Sequence, residues 1–277
     1  MRKRALRTYL IFTLLVMVLV FIIGCKDSRS KKSFVQTSLI QVDSLSQIEL
    51  ISDSLVAPRL YSHLPGLDKL PSDQSKAVFI SALLPSILVA KHNIQHTRTR
   101  VEELAIKDSW ESSDSVFFAE TKVRYKATDL EDLRNRIIYL PNSLVLAQAA
   151  VESAWGQSRF FLQANNVFGI WSYNENEPRM KAGLIRRNTA VQVYVKTYPN
   201  FEESIENYFI ILGSANAYKS LRKASLKTQD PFLLLPHLKY YSEQRTAYTN
   251  LLKSVILHND LTQYDHYQID PIYIVSQ

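Results

Sequence analysis

A single carboxylate interrupts an apolar helix near the middle of the chain, and its surroundings suit acid–base chemistry. Glu152 follows residues 144–151, which are small or apolar except for Gln148, and lies near the end of a helix predicted over 144–155. Burial among such neighbours raises a carboxyl pKa, because the charged form loses its hydration. A carboxyl group that keeps its proton can act as a general acid. On these residues alone, an exposed stripe shared by Glu152 and Gln148 remains the alternative.

Two longer motifs surround this glutamate and carry a family resemblance. The first is SLVLAQAAVESAWGQSRF (143–160), and the second is NNVFGIW (165–171). The pair closely resembles the bacterial cell-wall glucosaminidases of glycoside hydrolase family 73, and within them the Bax-type branch. The similarity extends back to FISALLP (79–85) and forward through AYKSLR (217–222) to YSEQRTAY (241–248). It therefore covers most of the chain after the amino-terminal leader.

The resemblance implies roles for particular residues. Glu152 matches the catalytic acid that protonates the leaving oxygen of a glycosidic bond, and Tyr241 matches the tyrosine that borders the scissile sugar. Without the motif, Tyr241 is one of 15 tyrosines and more typical of half-buried packing. Substrate-binding positions, including the floor of the sugar cleft, are implied for Ser153, Asn166, Phe168 and Gly169.

A second carboxylate is harder to locate. Glycosidases generally use two carboxyl groups, and many relatives carry the second in the hairpin after the Asn-Asn-x-Phe-Gly motif. Here residues 183–198 contain no acid, while Glu175 and Glu177 lie earlier, in the loop after Trp171. We interpret Glu177 as a candidate catalytic residue and a solvated loop as its competing role. Two mechanisms stay open: attack by the substrate's own acetamido group with Tyr241 as stabiliser, or a mobile loop that brings Glu175 or Glu177 to the site.

The amino terminus has the layout of an export signal. Four basic residues precede an apolar stretch over 9–23, and the stretch ends at IIGC (22–25). This ending resembles the bacterial lipobox, which implies cleavage after residue 24 and lipid modification of Cys25. The alternative is an uncleaved signal anchor, although the apolar run is short for a membrane span. The expectation is an extracytoplasmic lipoprotein, on the periplasmic face of a bacterial membrane and in the outer membrane if the cell is Gram-negative.

Composition narrows the remaining classes of function. The chain has 277 residues, one cysteine and 6 glycines, and we find neither a GxGxxG nor a GxxxxGK[ST] pattern. No cofactor and no metal site are expected. The formal charge is +7, but the leader contributes four basic residues and no acid, so the remainder carries 7 − 4 = +3. That balance suits an anionic cell wall better than nucleic acid.

Helical periodicity marks two regions before the Glu152 helix. Apolar residues recur at helical spacing over 72–106, and Pro85 is expected to kink or split this helix because it lacks an amide proton. A further helix is predicted over 129–139. Both regions would pack on the helix that bears Glu152.

After the second motif, alternating valines over 191–196 predict a half-exposed strand of a hairpin. Asn200 and Ser242 are predicted to cap two further helices. Three acids are expected on the surfaces or first turns of those helices: Glu202, Glu206 and Glu243.

These features predict a mainly helical α+β, lysozyme-like domain with a small β-hairpin lobe. The predicted organisation is a signal peptide (1–24), a tether and irregular segment (25–70), a helical extension (71–128), the glucosaminidase domain (129–260) and a tail (261–277). The predicted function is a peptidoglycan hydrolase that cleaves the β-1,4 bond after N-acetylglucosamine. The alternatives are a lytic transglycosylase and a non-catalytic peptidoglycan-binding lipoprotein. The sequence does not specify an oligomeric state.

Overall fold

The computed structural model describes residues 33–185 and 192–276, and Ser33–Ser276 form one compact unit. The predicted signal peptide and Cys25 lie outside the described residues. The mainly helical α+β class predicted from the sequence is confirmed.

The amino-terminal part of this unit is more ordered than the predicted tether. It forms four short strands, β1 (Ser33–Val35), β2 (Ser38–Ile40), β3 (Leu55–Val56) and β4 (Arg59–Tyr61). β2 pairs with β4 in parallel, whereas β1 and β3 pair with strands from the other end of the chain. Eight aliphatic or aromatic side chains in this stretch are buried: Val35, Val42, Ile48, Val56, Leu60, Tyr61, Leu64 and Leu67. Residues 33–70 are therefore part of the folded body, which corrects the predicted tether over 25–70.

Helix α1 (Ser72–Ile106) is the longest helix of the described residues and crosses the middle of the protein. It continues through Pro85, so the predicted split does not occur. An internal proline costs roughly 3 kcal/mol, but residues 79–90 of α1 are buried, and this packing offsets the cost. The helix is long and apolar enough to cross a membrane, yet most of its apolar window is covered by the rest of the protein, as in a core helix.

Two shorter helices, α2 (Ser112–Tyr125) and α3 (Leu130–Arg136), follow α1 and lead to the central helix. Asp129 caps α3 by accepting a hydrogen bond from the Asp132 amide. The helix predicted over 129–139 thus ends three residues earlier, at Arg136.

The central helix α4 (Asn142–Ser153) bears Glu152 and is buried along most of its length. Small side chains such as Ala147 and Ala150 let α1 and α9 (Thr246–His258) approach it closely. α4 ends at Ser153, because Ala154, Trp155 and Gly156 all adopt positive φ angles. The helix is thus shorter than the predicted 144–155, and Glu152 lies in its last turn.

A short helix and a three-stranded sheet follow α4. Helix α5 (Arg159–Ala164) leads to strands β5 (Trp171–Ser172), β6 (Arg179–Ile185) and β7 (Gln192–Lys196). The strand order is β5-β7-β6, with both pairings antiparallel, which places the predicted hairpin between β6 and β7. Arg159 holds β6 against α5, since its guanidinium donates to the carbonyls of Ala182 at 2.6 Å and Lys181 at 3.1 Å.

The carboxy-terminal third consists of helices α6 (Phe201–Ser214), α7 (Lys219–Ser225), α8 (Pro231–Leu234) and the already mentioned α9. Asn200 caps α6 through a 3.0 Å hydrogen bond from the Glu203 amide, as predicted.

Other details of this third differ from the prediction. α9 begins at Thr246, so Ser242 caps a turn by accepting from the Gln244 amide, and Glu243 lies in that turn. Glu202 is buried where α6 meets α1, and its carboxylate accepts a 3.1 Å hydrogen bond from Asn93. Burial raises the pKa of Glu202 to about 7, with help from nearby acids. Glu202 is therefore a core carboxyl group, not a surface charge.

The last two strands pair with strands from the amino-terminal part of the same unit. Strand β8 (Gln268–Ile269) pairs with β3 in parallel, and β9 (Ile274–Ser276) pairs with β1 in an antiparallel ladder. Between α9 and β8, a 3-10 segment, Leu261–His266, packs on the start of α4. The two ends of the folded unit are thus held together around the central helices.

Candidate active site

The last turn of α4 presents Glu152 to a group of tyrosines. Its side chain is half-buried, and burial raises the pKa of the carboxyl group, while the nearby Tyr248 hydroxyl of α9 opposes that rise. Among the described residues, no cation contributes to the shift. This environment favours the protonated acid expected from the sequence.

A chain of hydrogen bonds links the core to Tyr248, a neighbour of Glu152. The Tyr208 hydroxyl of α6 donates to Oε1 of Gln148, and Nε2 of Gln148 donates to the Tyr248 hydroxyl at 3.0 Å. Tyr248 in turn lies near Glu152, and burial together with the charge of Glu152 raises the pKa of its hydroxyl. Gln148 is fully buried, so the exposed stripe considered from the sequence does not exist. We call these three side chains, Tyr208, Gln148 and Tyr248, the buried triad.

Tyr241 completes the aromatic surroundings of the carboxyl group. Its ring stacks on that of Tyr248, with centroids 5.8 Å apart and planes 7° apart, and its hydroxyl donates to the Phe168 carbonyl at 3.3 Å. The rings of Tyr208 and Tyr218 lie 6.2 and 6.3 Å away. Burial, and next the charge of Glu152, raise the pKa of Tyr241. The hydroxyl groups around Glu152 are therefore neutral donors over the physiological pH range.

The loop between α5 and β5 shapes the site mainly from inside. The Asn166 amide group donates to the carbonyls of Ile170 and Lys196, both at 2.9 Å, and accepts from the Ile170 amide at 2.8 Å. Phe168 is buried and stacks on Tyr208, with centroids 4.1 Å apart. Direct substrate contact by the Asn166 and Phe168 side chains is thus corrected to a supporting role, because both are enclosed.

Gly169 differs from its neighbours in the loop. Its φ angle is 65°, and a Cβ at this position would meet nothing within 4 Å. The backbone is therefore open here, which lets a ligand approach it closely.

Ser153 also has a role that differs from the prediction. It is fully buried, and its hydroxyl donates to the Ala149 carbonyl at 2.6 Å and accepts from the Gly156 amide at 2.9 Å. Both bonds stabilise the left-handed turn that ends α4. Substrate binding by Ser153 is therefore corrected to support of the turn beside Glu152.

The two candidate second carboxylates are engaged elsewhere. Glu177 accepts from the Ser172 hydroxyl at 2.7 Å and pairs with Lys196 at 3.0 Å, and these contacts lower its pKa against the opposing effect of partial burial. Glu175 is exposed and lies 3.7 Å from Arg179. Glu177 thus fastens the loop to the sheet, and no described contact joins it to Glu152.

Two members of the site were missed as functional residues in the sequence. Gln148 is a polar residue one turn before Glu152 in an apolar helix, and Tyr248 ends the YSEQRTAY segment that begins with Tyr241. The i, i+4 spacing of Gln148 and Glu152 was the available signal. Whether Gln148 and Glu152 form an exposed stripe or part of an internal hydrogen-bond network depends on the burial of Gln148. A single sequence does not show that burial.

The arrangement suits donation of a proton. The Glu152 carboxyl group, whose pKa is raised by burial, lies among neutral hydroxyl groups, which suits transfer of a proton to a leaving oxygen. Within 33–185 and 192–276, no group of three or more metal-binding side chains was found.

Comparisons with known proteins identify a family for the part of the chain that contains Glu152. Residues 127–261 match the Glucosaminidase family model, described as mannosyl-glycoprotein endo-beta-N-acetylglucosaminidase. The chain is similar to Protein bax of Escherichia coli (strain K12), with 28% identity over 216 residues, or 72% of this chain and 75% of that protein.

Solved structures are also similar. The catalytic domain of the autolysin Auto from Listeria monocytogenes has 24% identity and a TM-score of 0.39, over 61% of this chain and 96% of that one. The glycoside hydrolase domain of Salmonella typhimurium FlgJ has 22% identity and a TM-score of 0.36, over 56% and 91%. The family match spans Glu152, the loop that contains Asn166 and Gly169, and Tyr241, so residues 127–261 form a domain of the glucosaminidases of glycoside hydrolase family 73, with similarity to their Bax-type branch.

Proposed function

We propose that this protein hydrolyses peptidoglycan as an endo-β-N-acetylglucosaminidase, with Glu152 as the general acid. The observation that carries the proposal is the half-buried Glu152 carboxyl group, whose pKa is raised by burial among tyrosines at the end of α4. The family match supports peptidoglycan as the substrate. So do the names of similar proteins, such as the peptidoglycan hydrolase from Sphingomonas sp. A1.

The contacts favour a mechanism with one protein carboxylate. Glu177 is held by Ser172 and Lys196, and residues 186–191, between β6 and β7 in the sequence, contain no acid. The acetamido group of the substrate would attack the anomeric carbon while Glu152 protonates the departing oxygen, and water would then open the cyclic intermediate. Tyr241, whose hydroxyl stays protonated, would border the reacting sugar.

We also propose that the protein is exported and anchored by a lipid on Cys25. The basic start, the apolar stretch and the IIGC ending support this location, and a glycan-cleaving domain belongs outside the cytoplasm. Growth with a radioactive fatty acid should label the wild-type protein and leave the Cys25→Ser variant unlabelled. Equal labelling of both would reject Cys25 as the site.

The central experiment is digestion of purified cell walls followed by mass spectrometry of the products. The wild type should release fragments with reducing N-acetylglucosamine ends, and Glu152→Gln should lower the rate by about 10²- to 10⁴-fold, the range of general acid catalysis. Glu120→Gln, at an exposed position of α2, is the matched control and should keep full activity.

Each alternative gives a different product. Anhydromuramic ends would identify a lytic transglycosylase. Binding to the walls with no product at any pH would identify a non-catalytic lipoprotein. Undiminished activity of Glu152→Gln would reject Glu152 as the acid.

A further inference from the structure

Two aromatic rings extend from the segment that follows the Asn-Asn-x-Phe-Gly motif. They belong to Trp171, the first residue of β5, and to Tyr173, which follows β5 directly. We propose that these two rings, the aromatic ledge, bind the glycan strand through the apolar faces of its sugar rings, beyond the sugar that reacts at Glu152. This inference rests on the proposed function and gives the candidate site a further subsite.

The first observation is the exposure of the ledge. Tyr173 is 84% exposed and Trp171 is 40% exposed, and their ring centroids lie 6.3 Å apart with planes 37° apart. A single exposed apolar side chain is common on protein surfaces, but adjacent exposed rings form an apolar patch of the kind found in ligand-binding grooves. The ledge therefore offers apolar surface that a ligand can remove from water.

The strand geometry places both rings on one side. Side chains alternate along a strand, so Trp171 and Tyr173 share a side and Ser172 points to the other. Ser172 is buried, and its hydroxyl donates to the Glu177 carboxylate at 2.7 Å. Glu177 in turn pairs with Lys196 of β7 at 3.0 Å. These contacts fasten the segment that carries the ledge, so little ordering is needed when a ligand binds.

The ledge adjoins the open backbone of the candidate active site. The Tyr241 hydroxyl donates to the Phe168 carbonyl at 3.3 Å, and the next residue, Gly169, has room for a ligand at its α-carbon. Trp171 follows Gly169 by two residues, so their Cα atoms are at most about 7 Å apart. A glycan strand with one sugar beside Tyr241 and Gly169 would therefore reach the ledge with a neighbouring sugar.

The chemistry of the ledge suits a sugar. One face of a pyranose ring carries mainly C–H groups, whose hydrogens are slightly positive, and the face of an aromatic ring is negative. Such a sugar face can stack on Trp171 or Tyr173 while the hydroxyl groups at the rim of the sugar stay in contact with water. A glycan strand repeats this face from sugar to sugar, and two neighbouring rings can bind more of it than one ring can.

The charges of this region favour an uncharged ligand over an acidic stem peptide. Residues 170–174 contain no charged side chain. The cations that pair with the adjoining loop are already matched with acids, since Lys196 pairs with Glu177 at 3.0 Å and Arg179 with Glu175 at 3.7 Å. A stem peptide with free carboxylates would compete with these acids, whereas a sugar would not.

The experiment measures the binding of glycan strands that have been freed of their stem peptides. The full chain, in detergent, carries Glu152→Gln so that the strands are not cleaved, and titration calorimetry gives the Kd. The test variants add Tyr173→Ala, Trp171→Ala or Trp171→Phe to this background. Phe34→Ala is the matched control, because Phe34 is another exposed aromatic residue on a short strand, β1.

Tyr173→Ala and Trp171→Ala should each raise the Kd by about three- to tenfold, the effect of losing one aromatic contact. Trp171→Phe keeps a ring, so it should bind more tightly than Trp171→Ala. Phe34→Ala should bind as the background does. Tyr173 is largely exposed, so its replacement should not disturb the fold, and a rise in the Kd then reports a lost contact.

A Kd in Tyr173→Ala and Trp171→Ala equal to that of Phe34→Ala would overturn the proposal. So would weaker binding of free stem peptides with unchanged binding of glycan strands, which would make the ledge a peptide site. Loss of a concentration-dependent dimer with unchanged affinity for glycan would also overturn it, in favour of a second copy of this chain.

Two results separate the ledge from the proposed activity. If the chain with intact Glu152 cleaves no glycan while both alanine variants bind strands more weakly, the hydrolase proposal fails and the ledge is upheld. If that chain cleaves cell walls while both variants bind strands as the control does, the ledge fails and the hydrolase proposal is upheld.

Discussion

The two ends of helix α4 are held in opposite ways. At its start, Asn142 accepts a 2.5 Å hydrogen bond from Lys91 of α1, and the Asp265 carboxylate accepts from the Ser143 amide at 2.7 Å and from its hydroxyl at 2.8 Å. At its end, Glu152 lies among neutral tyrosines. Charged side chains therefore hold the start of α4, whereas no described cation contributes to the pKa of Glu152 at its end.

This difference has a chemical consequence. A carboxylate at a helix start accepts from the exposed amides and interacts favourably with the helix dipole, and Asp265 occupies this position on α4. Glu152 lies at the opposite end, where the dipole is unfavourable for a negative charge, and burial further raises its pKa. Position along the same helix thus separates a structural carboxylate from a proton donor.

Removal of the Asp265 carboxylate at the start of α4 should have the largest effect on stability. Asp265→Ala leaves the Ser143 amide and hydroxyl without their acceptor and the Lys91 charge without its attractive partner. We expect a loss of about 3 kcal/mol in the free energy of unfolding, from a lost helix cap and charge-assisted hydrogen bonds. Urea denaturation measures it. Asp108→Ala, at an exposed position after α1, is the control and should change stability by less than about 0.5 kcal/mol. A similar loss in both would contradict a specific role for Asp265.

A narrower change separates the Ser143 hydroxyl from the Ser143 amide. Ser143→Ala removes one of the two bonds to Asp265 and leaves the backbone bond in place. The expected loss is about 1 kcal/mol, the usual value for one buried hydrogen bond. The same denaturation experiment tests it, and a loss as large as that of Asp265→Ala would mean that the amide contributes little.

Substitution of Glu152, at the end of α4, should cause the smallest change in stability, and at pH 8 this change should be stabilising. Because burial raises the pKa of Glu152 in the folded state, its contribution to stability is fully present below the unfolded pKa of about 4.5 and is lost as pH rises through the folded value. Glu152→Gln avoids this loss, so it should be slightly more stable than the wild type at pH 8 and no more stable at pH 4. Thermal unfolding at both pH values checks the sign, and lower stability of Glu152→Gln at pH 8 would contradict it.

Prediction from the sequence succeeded where the signal was local. Asn200 caps α6 because its side chain bonds an amide three residues later, and the alternating valines of β7 form a strand of the sheet. The family match spans the predicted Glu152 and Tyr241 motifs. The roles of these residues in catalysis stay predictions.

The errors arose where distant packing overrides local preference. Pro85 stays inside α1 because the burial of its neighbours stabilises the helix by more than the loss of one backbone hydrogen bond costs. Strands β1 and β3 escaped prediction, since each is short and its partner lies more than 200 residues away along the chain. Ser153 was predicted to bind substrate because the motif does not reveal that this side chain is buried and hydrogen-bonded to Ala149 and Gly156.

The sequence by itself determined the helix that carries Glu152, the family, and the neighbourhood of Tyr241, because these depend on periodicity and on contiguous motifs. Only the tertiary structure decided that Gln148 and Tyr248 meet beside Glu152, and that Asp265 anchors the far end of the same helix. Those contacts join residues about 100 and 120 positions apart. Hydrogen-bond direction and burial depend on which helices pack together, and that packing sets the protonation of the carboxyl group.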